Sequence, residues 1–360
     1  MKIGILTYHR SINYGALLQA VASRVVLEKM GQEVFYIDYW PEYHQNIYRL
    51  FSWKRLIRGR NLFKKIQYIR YVLQTYKSKC TRKENFNRFI AKYIEPYCKP
   101  VESSFDVVFL GSDQIWRKQP GIKRYNPVYF GKNGIKAKQV SYAASMGELP
   151  QLDADKTTVK NLLAGLDSIA VREDPLKIFV EQCGFSAKLV LDPTLLLTAK
   201  EWDDVLGLES KENTQDKYLL YYNLKKDSFD DDAVKKFAVS MGLKLVVLFG
   251  KAEVMDSYDI RTTCNPRDFV ELIKKASFVL TSSYHGLVFS ILYNKPFYAS
   301  FSVGPDRASS ILNSLGICDK LIEPMVKRLP EYTSIDYTIV DKHLIDLRLD
   351  SLEYIRKALS

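Results

Sequence analysis

A chain of 360 residues is long for a single core, so two domains are expected, and its 47% hydrophobic content is ordinary for a soluble globular protein. No run approaches the roughly 18–20 apolar residues of a membrane span, and the opening MKIGILTYH turns polar too soon for a signal peptide, so a cytoplasmic protein is expected. The net charge of +12 is local: Arg49–Lys92 carries fourteen Lys/Arg against one acid, Glu84, a balance of +13 that leaves the rest of the chain at −1.

The chain opens as a βαβ unit. Met1–Thr7 reads as a strand and Gly15–Met30 as a helix, with Leu17, Leu18, Val21, Val25 and Leu27 at helical spacing and Gly31 as its stop. Val34–Tyr39 reads as a second strand, and this order predicts a parallel, doubly wound sheet. The loop HRSINYGA after the first strand lies at a carboxyl end, where such sheets bind ligands. It lacks GxGxxG, so no dinucleotide site is read there. Asn13, Tyr14 and Gly15 in it either hold a substrate or make a tight turn.

In the basic segment, Leu50, Phe51, Trp53, Leu56, Ile57, Leu62, Phe63, Ile66, Ile69, Tyr71, Val72 and Leu73 are interleaved with Lys and Arg, which predicts one or two amphipathic helices. Three uses compete: a solvated helical cap on the domain, a patch on anionic lipid headgroups, or a nucleic-acid surface. The last ranks lowest, because no nucleic-acid module accompanies the patch.

Downstream, apolar runs end repeatedly in polar residues. Phe105–Leu110 runs into Gly111-Ser112-Asp113-Gln114, Val140–Ala144 into Ser145-Met146-Gly147, Ser168–Val171 into Arg172-Glu173-Asp174, and Leu189–Leu191 into Asp192-Pro193-Thr194. A helix, Leu176–Cys183, lies between the last two. The polar stretch Glu209–Asp216 predicts a boundary. Beyond it come a strand at Tyr218–Tyr222, a helix at Asp230–Ser240, a strand at Lys244–Phe249 and a helix at Pro266–Lys275. The five cysteines (Cys80, Cys98, Cys183, Cys264, Cys318) form no CxxC pair, which argues against a disulfide framework and a zinc site.

The stretch FVLTSSYHGLVFSILYNKP carries the strongest local signal. Phe278-Val279-Leu280 ends a buried strand, Thr281-Ser282-Ser283 offer N-cap side chains, Leu287, Val288, Ile291 and Leu292 recur at helical spacing, and Lys295-Pro296 stop the helix. This puts His285 and Gly286 at a helix N-terminus, where N–H groups and the dipole favour an anion. A histidine there either serves such a site or only caps and packs. A strand at Phe297–Ser300, a helix from Gly304-Pro305-Asp306-Arg307 to Gly316 and a short amphipathic helix at Ser351–Leu359 close the chain. The expected architecture is two Rossmann-like α/β domains with parallel sheets facing a cleft. Residues 1–208 form the first, with a basic helical insertion at 49–95, and residues 209–345 form the second. Residues 346–360 are a terminal helix that packs back on the first domain. This resembles the GT-B arrangement of many glycosyltransferases, and fold alone does not fix function.

The segments NYGALLQA, GSDQIW, SYAASMG, VRED, LDPTLLL and TSSYHGLVFSILYNKPF, in that order from about Gly4 to Gly316, resemble the polysaccharide pyruvyl transferase family. The chain carries Gly15-Ala16 where many members have Gly-Asp, and the basic segment looks specific to a subgroup. The resemblance implies transfer of a pyruvyl group from phosphoenolpyruvate to two hydroxyls of a sugar, in a surface polysaccharide or its lipid-linked precursor. The products are a cyclic ketal and phosphate. Phosphoenolpyruvate is a donor substrate, and no cofactor or metal site is read. A donor with a carboxylate and a phosphate needs cations and N–H dipoles.

On that basis His285 is assigned as general acid or phosphate-orienting group and Asp113 as base for the sugar hydroxyl. Arg172, Arg307, Ser282, Ser283, Gly286, Ser112, Asn13, Tyr14 and Gly15 are assigned to substrate binding, with the arginines as bidentate clamps. The competing local readings pair Arg172 with Glu173 or Asp174, pair Arg307 with Asp306, and make Asp113 a turn cap. The implied partners are phosphoenolpyruvate, a sugar or lipid-linked oligosaccharide acceptor, and an anionic membrane surface through residues 49–92, with no nucleic acid. The implied place is the inner face of the cytoplasmic membrane. The alternatives are a glycosyltransferase using a nucleotide-sugar donor and a non-catalytic sugar-binding protein.

Overall fold

The computed structural model describes residues 1–48, 62–119, 122–209, 217–248 and 259–360. The expected boundary at 209–216 falls almost wholly outside them, as does the basic segment before residue 62. Five short parallel strands form the first sheet: β1 (Lys2–Leu6), β2 (Glu33–Ile37), β3 (Cys98–Lys99), β4 (Val107–Leu110) and β5 (Lys138–Ser141), in the spatial order β3-β2-β1-β4-β5. Ile3 is aligned with Val34 on one side and Val107 on the other. β4 is buried at every position, as a central strand covered on both faces must be. A two-stranded ladder, β6 (Ala170–Val171) and β7 (Lys188–Leu189), continues from β5 through a bridge between Val140 and Ser168.

The second sheet contains β8 (Tyr218–Tyr222), β9 (Lys244–Leu248), β10 (Asp259–Arg261), β11 (Phe278–Thr281) and β12 (Phe297–Ala299), in the order β10-β9-β8-β11-β12 and again parallel. Both sheets therefore change their direction of strand addition between their first and fourth strands, β1 and β4 in one and β8 and β11 in the other. At such switch points the loops after the strands part and leave a crevice.

The first helix, Tyr14–Lys29, leaves β1 and has twelve of its sixteen residues buried, because it lies between the two sheets. It packs on Pro266–Lys275 and Tyr284–Leu292 of the second unit. A continuous apolar cluster consequently runs from Ile5, Leu17 and Val21 through Tyr14 to Phe269, Leu287 and Phe289. The basic segment supplies one helix among the described residues, Leu62–Tyr93. Phe86, Phe89, Ile90 and Tyr93 in its C-terminal part join that cluster.

The structure departs from the sequence reading at several elements. The terminal helix spans Tyr337–Leu359, not 351–359. Its buried residues Val340, Leu344, Ser351, Ile355 and Ala358 are spaced for one face, but exposed Ile339, Ile345 and Leu349 blur that pattern. The sequence reading does not anticipate the helices Asp153–Leu163 and Ala199–Leu206 or the edge strands β3 and β10. The terminal helix ties the two units together. Tyr337 Oη donates to the Lys295 carbonyl at 2.6 Å in the second, while Arg348 Nε donates to the Leu195 carbonyl at 2.6 Å and Tyr354 Oη to the Ser141 carbonyl at 2.9 Å in the first.

Candidate active site

Two helix N-termini meet at the crevice. Asn13 caps the first helix, its Oδ1 accepting from Ala16 N at 3.1 Å. Ser283 caps the helix Tyr284–Leu292, its Oγ accepting from Gly286 N at 3.3 Å. The imidazole of His285 projects from the second helix against Gly15 of the first. A Cβ built on Gly15 would stand 1.9 Å from His285 Nδ1, so only glycine admits the ring. Gly286 has a similar reason to lack a side chain, since its Cβ would stand 2.3 Å from Thr281 Oγ1.

On the other side of the ring lies Asp192, fully buried at the end of the segment after β7. Its Oδ1 accepts from Thr194 N at 3.0 Å and Thr194 Oγ1 at 2.6 Å. Its Oδ2 pairs with Arg172 Nη1 and faces His285 Nε2 at 3.7 Å. Burial alone would push this carboxyl up, but His285, Arg172 and Thr194 outweigh it and hold Asp192 well below the usual carboxylate range. Burial likewise works against the Arg172 cation, and Asp192 and Glu173 more than restore it. Arg172 thus pairs with Asp192 and not with either acid beside it in sequence. It also reaches Ser112 Oγ at 3.3 Å, whose own proton goes to the Ala143 carbonyl at 2.8 Å. Among the described residues, Arg172 Nε and Nη2 are buried with no hydrogen-bond partner. Guanidinium nitrogens held dry in this way are suited to an anion.

Beside this group, the Tyr284 ring is approached by two guanidiniums, with Arg172 Cζ at 4.8 Å and Arg307 Cζ at 5.5 Å from its centroid. Arg307 Nε stands 4.0 Å from Glu173 Oε1, so Arg307 leans across the cleft towards Glu173 and not towards Asp306. Ser145 Oγ donates to the same Glu173 oxygen, while Oε2 is buried without a partner among the described residues. Burial pushes the Glu173 carboxyl up, and Arg172 and Arg307 only partly offset this. Arg307 is lowered by its own burial and by Arg172 nearby.

The structure therefore brings together Arg172, Arg307, Ser112, Gly15, Gly286 and His285. Asp113 follows Ser112 in a left-handed turn at φ 75°, with Oδ1 accepting from Gln114 N at 2.7 Å, and its charge is felt at both arginines. Asn13 and Ser283 act as caps. Tyr14 is buried, stacks on Phe269 with centroids 4.7 Å apart, and donates to the Cys264 carbonyl at 3.0 Å, so it joins the two units. Ser282 Oγ is engaged by its own unit, accepting from Leu224 N at 2.7 Å and donating to Asn223 Oδ1 at 2.7 Å. Asp192, Thr194, Glu173 and Tyr284 were not singled out as site residues from sequence. The Asp-Pro-Thr order was a legible N-cap signal, but nothing local said that its carboxylate would meet a histidine 93 residues away.

His9, Asp38 and Cys98 cluster within 4.8 Å by their ligating atoms. Arg10 holds both Asp38 oxygens at 2.7 and 2.8 Å, and burial pushes the Cys98 thiol up to about 11. A guanidinium in place and a protonated thiol make this a poor metal site.

No curated protein matches the sequence. Among solved structures, a protein from Listeria monocytogenes reported as a UDP-N-acetylglucosamine 2-epimerase superposes with a TM-score of 0.50 at 11% identity, over 98% of this chain and 89% of that one. The UDP-GlcNAc 2-epimerase of Methanocaldococcus jannaschii gives 0.46 at 11% identity, over 96% and 92%. The spinosyn rhamnosyltransferase SpnG gives 0.35 at 12%, over 100% and 91%. Likenesses this remote bear on the GT-B-like fold alone. The family model for polysaccharide pyruvyl transferase matches residues 13–303, a span that runs from the Asn13 cap through Arg172, Asp192 and His285. With most of its length matched, this chain belongs to the polysaccharide pyruvyl transferase family and is a transferase.

Proposed function

We propose that the protein transfers the pyruvyl group of phosphoenolpyruvate to two hydroxyls of a sugar in a surface polysaccharide, such as a capsule or exopolysaccharide, or its lipid-linked precursor. The observation that carries this reading is the cationic pocket at the cleft. Among the described residues, Arg172 keeps two buried nitrogens unpartnered, Arg307 lies over the same Tyr284 ring as Arg172, and His285, in the first turn of its helix, stands 3.7 Å from the Asp192 carboxylate that Arg172 pairs with. A small donor with a carboxylate and a phosphate suits such a pocket.

In the reaction two C–O bonds form at carbon 2 of the donor and the C–O bond to phosphate breaks. One hydroxyl proton ends on the methylene carbon, which becomes a methyl group, and the other leaves with phosphate. His285 delivers the proton to carbon. Asp192 faces Nε2 and leaves Nδ1, beside Gly15, as the transferring atom. Asp113 takes the proton from the attacking hydroxyl. The acceptor is presented at the inner face of the cytoplasmic membrane.

Thermal shift with phosphoenolpyruvate, inorganic phosphate and UDP-, GDP- and CMP-sugars tests the donor. A ligand at 100 times its Kd adds about 2.7 kcal/mol. Arg307→Gln and Arg172→Lys are the informative variants, because Arg172→Ala would strand the buried Asp192 charge at about 3–5 kcal/mol. Phosphoenolpyruvate is expected to raise Tm, with the rise lost in Arg307→Gln. A rise with a nucleotide sugar alone would sink the proposal.

A further inference from the structure

The long helix Leu62–Tyr93 is packed over only part of its length. Its 32 residues span roughly 48 Å at 1.5 Å per residue. Buried residues are concentrated from Arg82 onward: Arg82, Phe86, Phe89, Ile90 and Tyr93. Asn85 Nδ2 adds a tie to the Thr263 carbonyl at 2.8 Å. Before Arg82, Thr75 is the one fully buried side chain among the described residues.

That projecting half does not carry the polar outer face that water selects. Ile66, Ile69, Leu73 and Tyr76 are exposed at 49%, 42%, 72% and 54%. Their spacing of three, four and three makes one stripe, roughly 130° round the helix from the packed residues. Cations border it on both sides, with exposed Arg70 and Lys77 along one edge, and half-buried Lys65 and exposed Lys83 along the other. The helix's single acid, Glu84, lies past the end of the stripe and is paired with Arg88 at 2.6 Å.

We propose that this face docks on an anionic lipid bilayer, with the helix lying in the headgroup plane. The stripe enters the acyl boundary, and Lys65, Arg70, Lys77 and Lys83 meet the headgroup charge. An apolar stripe flanked by cations is the composition of interfacial helices. A protein partner would need no double row of cations, and nucleic acid would need no aliphatic stripe. The inference extends the proposed function to the place where the acceptor is met, and it stands on the helix alone, so it survives a change of donor.

The test is co-sedimentation of the full chain with phosphatidylcholine vesicles and with vesicles containing 30% phosphatidylglycerol, beside a single-stranded RNA binding assay. The wild type is expected to pellet with anionic vesicles and not neutral ones, and to be released by salt. Arg70→Gln with Lys77→Gln should cut partitioning about 25-fold, at about fivefold per charge. Leu73→Ser should cut it about tenfold with the charge unchanged. Thermal unfolding, unchanged in both variants, controls for folding. Failure to pellet with either vesicle, equal binding to both, insensitivity to Leu73→Ser, or tighter binding to RNA than to anionic vesicles would each overturn the proposal. A failed donor screen with intact vesicle binding would remove the pyruvyl reading and leave this one.

Discussion

At the scale of single residues the site depends on what Gly15 lacks. Gly15 is helical, and an alanine there gains up to about 1 kcal/mol of intrinsic helix propensity. The added Cβ would nevertheless occupy the space of His285 Nδ1, 1.9 Å away. Gly15→Ala is therefore expected to lower stability by about 1–3 kcal/mol, as overpacking does, and to abolish pyruvyl transfer while leaving the far-ultraviolet circular dichroism unchanged. Denaturant unfolding and a phosphate-release assay check this, and a variant at least as stable and active as the wild type would refute it. Glu173 gives a prediction of opposite character. Its folded-state pKa is raised, chiefly by burial, so the native state holds that proton more tightly than the unfolded chain does. The group favours folding below its unfolded pKa of about 4.3, and stability is lost as pH rises through the higher folded value. Glu173→Gln should therefore remove a decline in Tm on the alkaline side of about pH 4.3. A wild-type Tm that climbs more steeply than the variant's over that window would show that the arginines win instead. His285 and Arg172 were legible from sequence because each follows an apolar strand end. Asp192 and Glu173 were not legible as site residues, because their roles come from tertiary neighbours: His285 in the second unit for one, Arg307 and Ser145 for the other.

At the scale of elements the long helix divides into a packed and a projecting half, and the two should respond differently to mutation. Phe86 is fully buried against Tyr14, with ring centroids 5.2 Å apart. Phe86→Ala is expected to cost about 3–5 kcal/mol, whereas Leu73→Ser should stay within about 0.5 kcal/mol. Similar losses at both positions, measured by denaturant midpoint, would mean that the projecting half is covered in solution. The sequence reading found this helix because apolar and basic residues alternate strongly along it. It missed Ala199–Leu206 although Thr198 and Glu201 form a capping box there. That helix buries only Trp202 and Leu206, so its apolar period is too short to register. Asp153–Leu163 was missed for the same reason, with only Val159, Leu162 and Leu163 buried. β10, with the sequence Asp-Ile-Arg, is an edge strand whose pairing with β9 supplies what its composition does not.

At the scale of the whole molecule, the candidate site exists only while the two sheets face each other. His285 and Arg307 come from the second unit, and Gly15, Arg172, Glu173 and Asp192 come from the first. Several ties cross between them, including Tyr14 to Cys264, Asn85 to Thr263, and Asp174 N to Ser310 Oγ at 3.2 Å. The terminal helix Tyr337–Leu359 adds a longer strap. It starts on the second unit and buries Ser351 and Ile355 on the first, where Leu191 N donates to Ser351 Oγ at 3.0 Å, one residue from Asp192. The strap thus holds both the angle between the sheets and the backbone that presents the Asp192 carboxylate. Ending the chain at residue 336 should expose Val340's and Ile355's partners and weaken the docking of the two units, leaving each sheet with its own local core. Calorimetry is then expected to resolve two transitions where the full chain gives one, and transfer activity should disappear even at temperatures where both halves remain folded. A single transition with activity retained would mean that the Tyr14–Phe269 packing and the Asp192–His285 pair suffice to hold the halves in register, and that the terminal helix only covers a surface.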